Sequence, residues 1–288
     1  AYAAQVAGLE AVEAVAPARE QGDVVVLDVF TEGDAQGSEA RAVVASIRGD
    51  PAEFETWVTG RAASLVDFVD TIASQAPIAL AWLGLATFVL LFLLTGSVLI
   101  PVKALVMIVR SLGATFGVLV LVFQDGRLEG LLGYTSVGGI EAVIPILVFA
   151  FAFGLSMDYE VFLLSRIKEY HDSGLDNDEA VRAGLQRTGR VITSAALVII
   201  VVFAGFVVGD LLVIKQTGIA LAVAVLIDAT LVRILLVPAT MTILGEWNWW
   251  APAPLRRLHQ RIGLSEAEGD GQRQAPDDEK PSRAATRR

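Results

Sequence analysis

Four ionisable side chains stand inside long apolar stretches of this 288-residue chain: Asp158, Glu160, Asp228 and Arg233. An ionisable group within a membrane-spanning helix costs several kcal/mol, so each is a candidate functional residue. Asp158 lies eight residues before Arg166, roughly 12 Å along a helix of 1.5 Å rise per residue. Desolvation of a carboxyl at that depth suits it to take up and release a proton near neutral pH. Gly154 and Ser156 are small enough to let another helix approach closely, and Tyr159 adds a hydroxyl beside the carboxyl. The competing structural reading is a neutral, hydrogen-bonded Asp158 that only fixes packing.

Glu160 is two residues further on, about 200° around an α-helix. It is expected off Asp158's face and in a structural pair near the membrane surface. Asp228 is about 18 Å into its apolar stretch, near the midplane, and Arg233 is about 140° from it on an α-helix, which makes a poor intrahelical pair. Asp228 is read as either a functional residue or a packing one, and Arg233 as structural. Thr193 and Ser194 can bond a neighbouring helix or their own backbone. Lys103 and Arg110 read as snorkelling cations. With no cysteine and only His171 and His259, no metal cluster is expected, nor any cofactor.

The elements that must carry these residues are membrane helices. The chain is 54% hydrophobic and 19% charged, with a mean hydropathy of +0.59. Soluble domains run about 45–50% apolar and 25% charged. The apolar residues form blocks over 76–244, which excludes a soluble enzyme there. Helices of about 20 apolar residues span a bilayer, and five are expected, over 76–100, 104–123, 143–165, 191–209 and 216–244.

The net charge of −10 argues against nucleic acid as a partner, because phosphate neutralisation needs clustered Lys and Arg. Residues 1–76 hold 13 acidic and 4 basic residues. Arg166, Lys168, Arg182, Arg187 and Arg190 fall between the third and fourth spans, and Arg256, Arg257 and Arg261 follow the fifth. The bias of Lys and Arg toward cytoplasmic loops places both segments in the cytoplasm and the N-terminal segment outside a cytoplasmic membrane. Trp247, Trp249 and Trp250 suit an interfacial belt.

Residues 1–75 read as α/β structure. Residues 24–30 (VVVLDVF) form a β-branched run expected as a strand, Ser38 can cap a helix through Arg48, and residues 53–59 fit a second strand. Residues 60–73 carry apolar residues at helical spacing and lead toward the first span near Pro77. Residues 247–288 make a polar tail, expected to be disordered from about 264. Residue 1 is Ala, no signal peptide is evident, and the N-terminal fragment exposes an unpaired sheet edge, so part of a longer protein is expected.

Residues 153–170, FGLSMDYEVFLLSRIKEY, resemble the signature of the mycobacterial membrane protein large (MMPL) family, within the resistance–nodulation–division superfamily of exporters. TSVGGIEAVIPIL at 135–147, RVITSAALVIIVVFAGF at 190–206 and DATLVRILLVPATMTILGEWNWWAP at 228–252 are similar to the segments that accompany it. The resemblance covers about residues 20–255. It implies a helical polytopic domain equivalent to the eighth through twelfth of twelve spans, preceded by the end of a βαβ-type extracytoplasmic porter domain. It also implies that Asp158 and Tyr159 form half of a proton relay, completed by a pair from an N-terminal half outside this sequence. Supporting roles would fall to Thr193, Ser194 and Asp228. The implied activity is proton-driven export of a hydrophobic substrate: a lipid, a siderophore or a drug.

Two other readings compete. A truncated or standalone non-transporting membrane subunit, which a homo-oligomer could complete, would need no second half. An intramembrane aspartyl protease would use Asp158 and Asp228, with residues 236–239 as a recognition turn, although Asp158 follows Leu-Ser-Met rather than a Gly-x-Gly turn.

Overall fold

The computed structural model describes residues 1–262 except 36, 51, 137 and 138. The expected disorder beyond about residue 264 lies outside the described residues. Among the described residues, five helical segments are long and apolar enough to cross a membrane: Arg61–Thr95, Leu99–Gln124, Val143–Asp172, Asn177–Val208 and Leu212–Trp249. The apolar side chains that would be a liability in water lie on their outer faces, as lipid or a further protein surface requires; Val198 and Val201 are each 63% exposed.

The first two long helices, α3 (Arg61–Thr95) and α4 (Leu99–Leu119, continued by a π-helical turn over Val120–Gln124), are separated by a break at residues 96–98. The expected first span runs through that break to residue 100. Gly96 ends α3 in the left-handed conformation, φ 73°, which glycine adopts without steric cost. Ser97 Oγ then accepts from the Leu99 amide at 3.1 Å and donates to the Asn248 carbonyl, tying the turn to the end of the last span.

The third and fourth long helices, α6 (Val143–Asp172) and α7 (Asn177–Gly205), run well beyond the expected spans and leave only residues 173–176 between them. The basic loop expected there is instead helical extension. Asp176 caps α7 by accepting from the Glu179 amide at 2.8 Å, which satisfies one of the unpaired donors at a helix start. Gly184 lets the two helices meet: a Cβ there would lie 2.6 Å from Ile167 Cγ1.

The last span is composite, with α8 (Leu212–Ile227), a π-helical stretch over Asp228–Leu236, and α9 (Val237–Leu244). At its start Lys215 is buried, and Nζ donates to the carbonyls of Leu132 and Gly133 at 2.8 and 2.9 Å. It thereby holds the short helix α5 (Glu129–Leu132) of the preceding loop. A single-turn segment over Gly245–Trp249 leads to α10 (Ala253–Ile262).

The N-terminal segment differs from expectation. After the short α1 (Tyr2–Val6) come β1 (Val12–Val15), β2 (Arg19–Gln21), β3 (Val24–Val26) and β4 (Val29–Thr31). β1 pairs with β4 and β2 with β3, both antiparallel, so the strands nest as one hairpin inside another. The expected run over 24–30 is broken at Leu27 and Asp28, and residues 53–59 carry no strand, since no neighbouring strand offers them a ladder. The parallel βαβ arrangement is therefore absent among the described residues. Helix α2 (Ser38–Gly49) does form, but Ser38 is its first residue and Gly37 its cap; Ser38 Oγ donates to Glu39 instead. Arg48 pairs with Asp67 of α3 at 2.5 Å, which fastens α2 to the long helix.

The buried apolar residues of the bundle fall into separate clusters. One gathers Leu91, Ile100, Met107, Leu163, Ile167 and Met241; another gathers Leu119, Phe123, Ile144, Val148 and Leu221. Along α6 the gap between the buried members of these two clusters is residues 149–162, which include the SMDYE stretch at 156–160; Met157 and Tyr159 of that stretch pack against the first cluster.

Candidate functional site: a buried ionic cluster beside Asp158

Two turns of α6 and the π-helical stretch of the last span meet in that gap. Ser156 Oγ donates to Asp228 Oδ1 at 2.7 Å, and Arg233 Nε donates to Asp228 Oδ2 at 2.7 Å. The other side of the guanidinium donates to the Ser156 carbonyl and lies 3.3 Å from Ser156 Oγ. Arg233 NH1 is 3.9 Å from Glu160 Oε2, and the guanidinium carbon sits 5.2 Å from the centre of the Tyr159 ring. Arg233 is 1% exposed, Glu160 5% and Asp228 8%.

The pairing of Arg233 with Asp228 corrects the expectation that residues five apart make a poor intrahelical pair. That expectation assumed α-helical geometry throughout. In a π-helix the hydrogen bonds run i→i+5, which returns residue i+5 to the face of residue i. Lys103 is likewise not a snorkelling cation. It is buried, and its Nζ, together with Glu160 Oε1 and Arg233 NH1, finds no hydrogen-bond partner among the described residues. Two carboxylates and two cations thus share a region closed to water. Isolated buried charges are far more costly than paired ones, so the set is held by mutual compensation.

Asp158 is placed otherwise. It lies mid-helix as expected, but its side chain is exposed on the outer face of the bundle, in a stripe with Phe151, Gly154 and Phe162. Nothing stands within 4 Å of where a Cβ on Gly154 would be, so that face is open to close approach. Tyr159, half-buried, turns inward to Arg233 and so bridges the position beside Asp158 to the cluster.

Thr193 and Ser194 are exposed and bond their own helix, through the carbonyls of Gly189 and Val191 at 2.7 and 3.0 Å. Arg110 is exposed. Asp228, locked to a serine and an arginine, does not make the two-aspartate arrangement of a protease. Sequence reasoning took Ser156 only as a small residue and kept Glu160 apart. The available signal was their i,i+4 spacing, which puts both on one helical face.

Residues 19–267 match the model of the MMPL family. The chain belongs to the MMPL family. It is 48% identical over 244 residues to a membrane protein of Streptomyces coelicolor, covering 85% of this chain and 34% of that protein. It is 40% identical over 226 residues to the trehalose monomycolate exporter MmpL3 of Mycolicibacterium smegmatis, covering 78% of this chain and 22% of the relative. To the mycolic acid-containing lipids exporter MmpL11 of the same organism it is 41% identical over 218 residues, covering 76% and 22%. The chain thus spans about a third or less of the length of these relatives, and is a multi-pass membrane protein like them.

Proposed function

We propose that this chain is the C-terminal part of a proton-driven exporter of lipids or similar hydrophobic molecules, with Asp158 and Tyr159 as its half of the proton relay. The observation that carries the reading is the contrast between two mid-membrane aspartates. Asp228 is sealed into ion pairs, whereas Asp158 keeps an open carboxylate on an apolar face beside Gly154. An ionisable group on such a face needs a polar partner, and the face suits a second half bearing the matching pair.

Protonation of Asp158 would remove a charge next to Tyr159, whose ring lies over Arg233. The change would reach Asp228, Ser156 and Glu160 without a proton passing through the buried set. The last span is then the element moved, because its π-helical stretch holds both Asp228 and Arg233. The names of the relatives favour a lipid cargo. Charge bias favours a cytoplasmic membrane with residues 1–75 outside and α10 inside. Asp158→Asn in the full-length protein should abolish proton-coupled export in proteoliposomes while insertion stays normal; retained export refutes the relay.

A further inference from the structure

The end of the bundle where the last span finishes carries a feature that the relay does not use. A cleft of about 340 Å³ opens there, lined by Glu246, Trp247, Trp249, Trp250, Ala251 and Arg256. Hydrogen bonds and a ring contact hold its walls. The Val98 amide donates to the Trp250 carbonyl at 3.1 Å, and buried Asn248 donates to the Met241 and Gly245 carbonyls at 2.6 and 2.7 Å. Trp249 stacks on His171 with ring centres 4.1 Å apart. The outer tryptophans remain open to the surroundings, Trp247 at 66% and Trp250 at 47%.

α10 continues directly from this cleft and is two-faced. Leu255, Leu258, His259 and Ile262 fall within about 100° of one another on an α-helix, and Arg256, Arg257 and Arg261 take the remaining arc. His259 pins the helix to the end of α3: Nε2 lies 3.1 Å from the Leu93 carbonyl and the ring packs edge-on against Phe92. Gly96 makes room, since a Cβ there would stand 3.0 Å from the imidazole. Leu258 and Ile262 are nonetheless 45% and 54% exposed. A helix with an apolar stripe and an arginine face at a span terminus lies in the membrane interface.

We infer that the tryptophan cleft and the arginine face of α10 form a binding site for the headgroup of an anionic phospholipid of the adjacent leaflet. Arg256 belongs to both features and takes the lipid phosphate. The exposed indoles sit at the headgroup level, where tryptophan is preferred. Leu258 and Ile262 lie against the acyl chains, and Arg257 and Arg261 add attraction for the anionic surface. The acidic lining residue, Glu246, faces His171 Nε2 at 3.6 Å, which offers a counter-group for its carboxylate away from the lipid. This inference does not rest on the relay.

The test uses the detergent-solubilised full-length protein, titrated separately with short-chain phosphatidylglycerol, short-chain phosphatidylcholine and inorganic phosphate, with bound molecules counted by native mass spectrometry. Phosphatidylglycerol should bind about tenfold or more tightly than phosphatidylcholine, given three arginines at the surface. Replacing Arg256, Arg257 and Arg261 together by Gln should erase the preference and leave phosphatidylcholine binding unchanged, while replacement by Lys should keep most of it. Equal binding of the two lipids, or an unaltered preference in the Gln variant, overturns the site. Inorganic phosphate competing as well as the lipid overturns the lipid assignment.

Discussion

Arg233 Nε lies 2.7 Å from Asp228 Oδ2 although five residues separate them along one helix. The contact exists because the backbone over Asp228–Leu236 is π-helical. The same guanidinium reaches the Ser156 carbonyl, so one arginine joins the irregular part of the last span to the middle of α6. π-Helical turns inside α-helices recur at functional sites, and this one decides which charges are buried together.

Removal of Arg233 alone should be severe. Arg233→Met leaves the carboxylates of Asp228 and Glu160 buried with less compensation, a loss expected at about 3–5 kcal/mol. The double variant Asp228→Leu/Arg233→Met should cost clearly less than the sum of the two single changes. Melting temperatures in detergent would report this, and additive losses would mean that the pair is not coupled.

Helix packing can be tested with glycines of opposite character. A Cβ on Gly218 would meet the Phe203 carbonyl oxygen at 2.6 Å, whereas one on Gly154 meets nothing. Gly218→Ala should destabilise by about 1–3 kcal/mol through overpacking. Gly154→Ala should leave the melting temperature within about 1 °C, a shift corresponding to a few tenths of a kcal/mol. If the open face receives a second half, Gly154→Leu should nevertheless depress export in the full-length protein.

Orientation can be read chemically, because the chain contains no cysteine. Glu20→Cys and Ser173→Cys each place a single thiol of this chain at an exposed position, on β2 and between α6 and α7. In a full-length protein cleared of other cysteines, a membrane-impermeant maleimide should label the first in intact cells. The second should be labelled only after permeabilisation. The reverse pattern would invert the proposed topology.

Lys215 is a further test of loop order. Lys215→Met removes the donor to the carbonyls of Leu132 and Gly133, leaving them short of a partner at a cost of about 1–3 kcal/mol. Amide exchange in α5 should accelerate by at least tenfold, while exchange in α6 is unchanged.

The membrane helices were legible in sequence because hydropathy over 20 residues is a strong signal. Their ends were less so. The Gly96-Ser97 pair inside an apolar run was a readable break, whereas the extensions of α6 and α7 past the bilayer carry charges and look like loop. Asp158 and Asp228 were both found by their depth in apolar stretches. Their different environments were not, since exposure depends on which face of a helix meets a neighbour. The Asp228–Arg233 pair was lost because a change from α to π hydrogen bonding leaves no mark on apolar periodicity. The strand expected over 53–59 failed for a third reason: a strand is completed only by its neighbours.

The length of α3 has a mechanical side. At 35 residues it measures about 52 Å, against a hydrocarbon core of about 30 Å. Pro77 lies inside it and cannot donate to the carbonyl of Ala73, so the rod has a weak point roughly 24 Å from its start at Arg61. The portion before the proline carries Asp67, to which Arg48 of α2 is fastened. A bend of about 10° at the proline would swing the tip by about 4 Å on that rise and take α2 with it. A helix jointed in this way would convert a small tilt of its apolar part into a displacement of the folded segment fastened to its start.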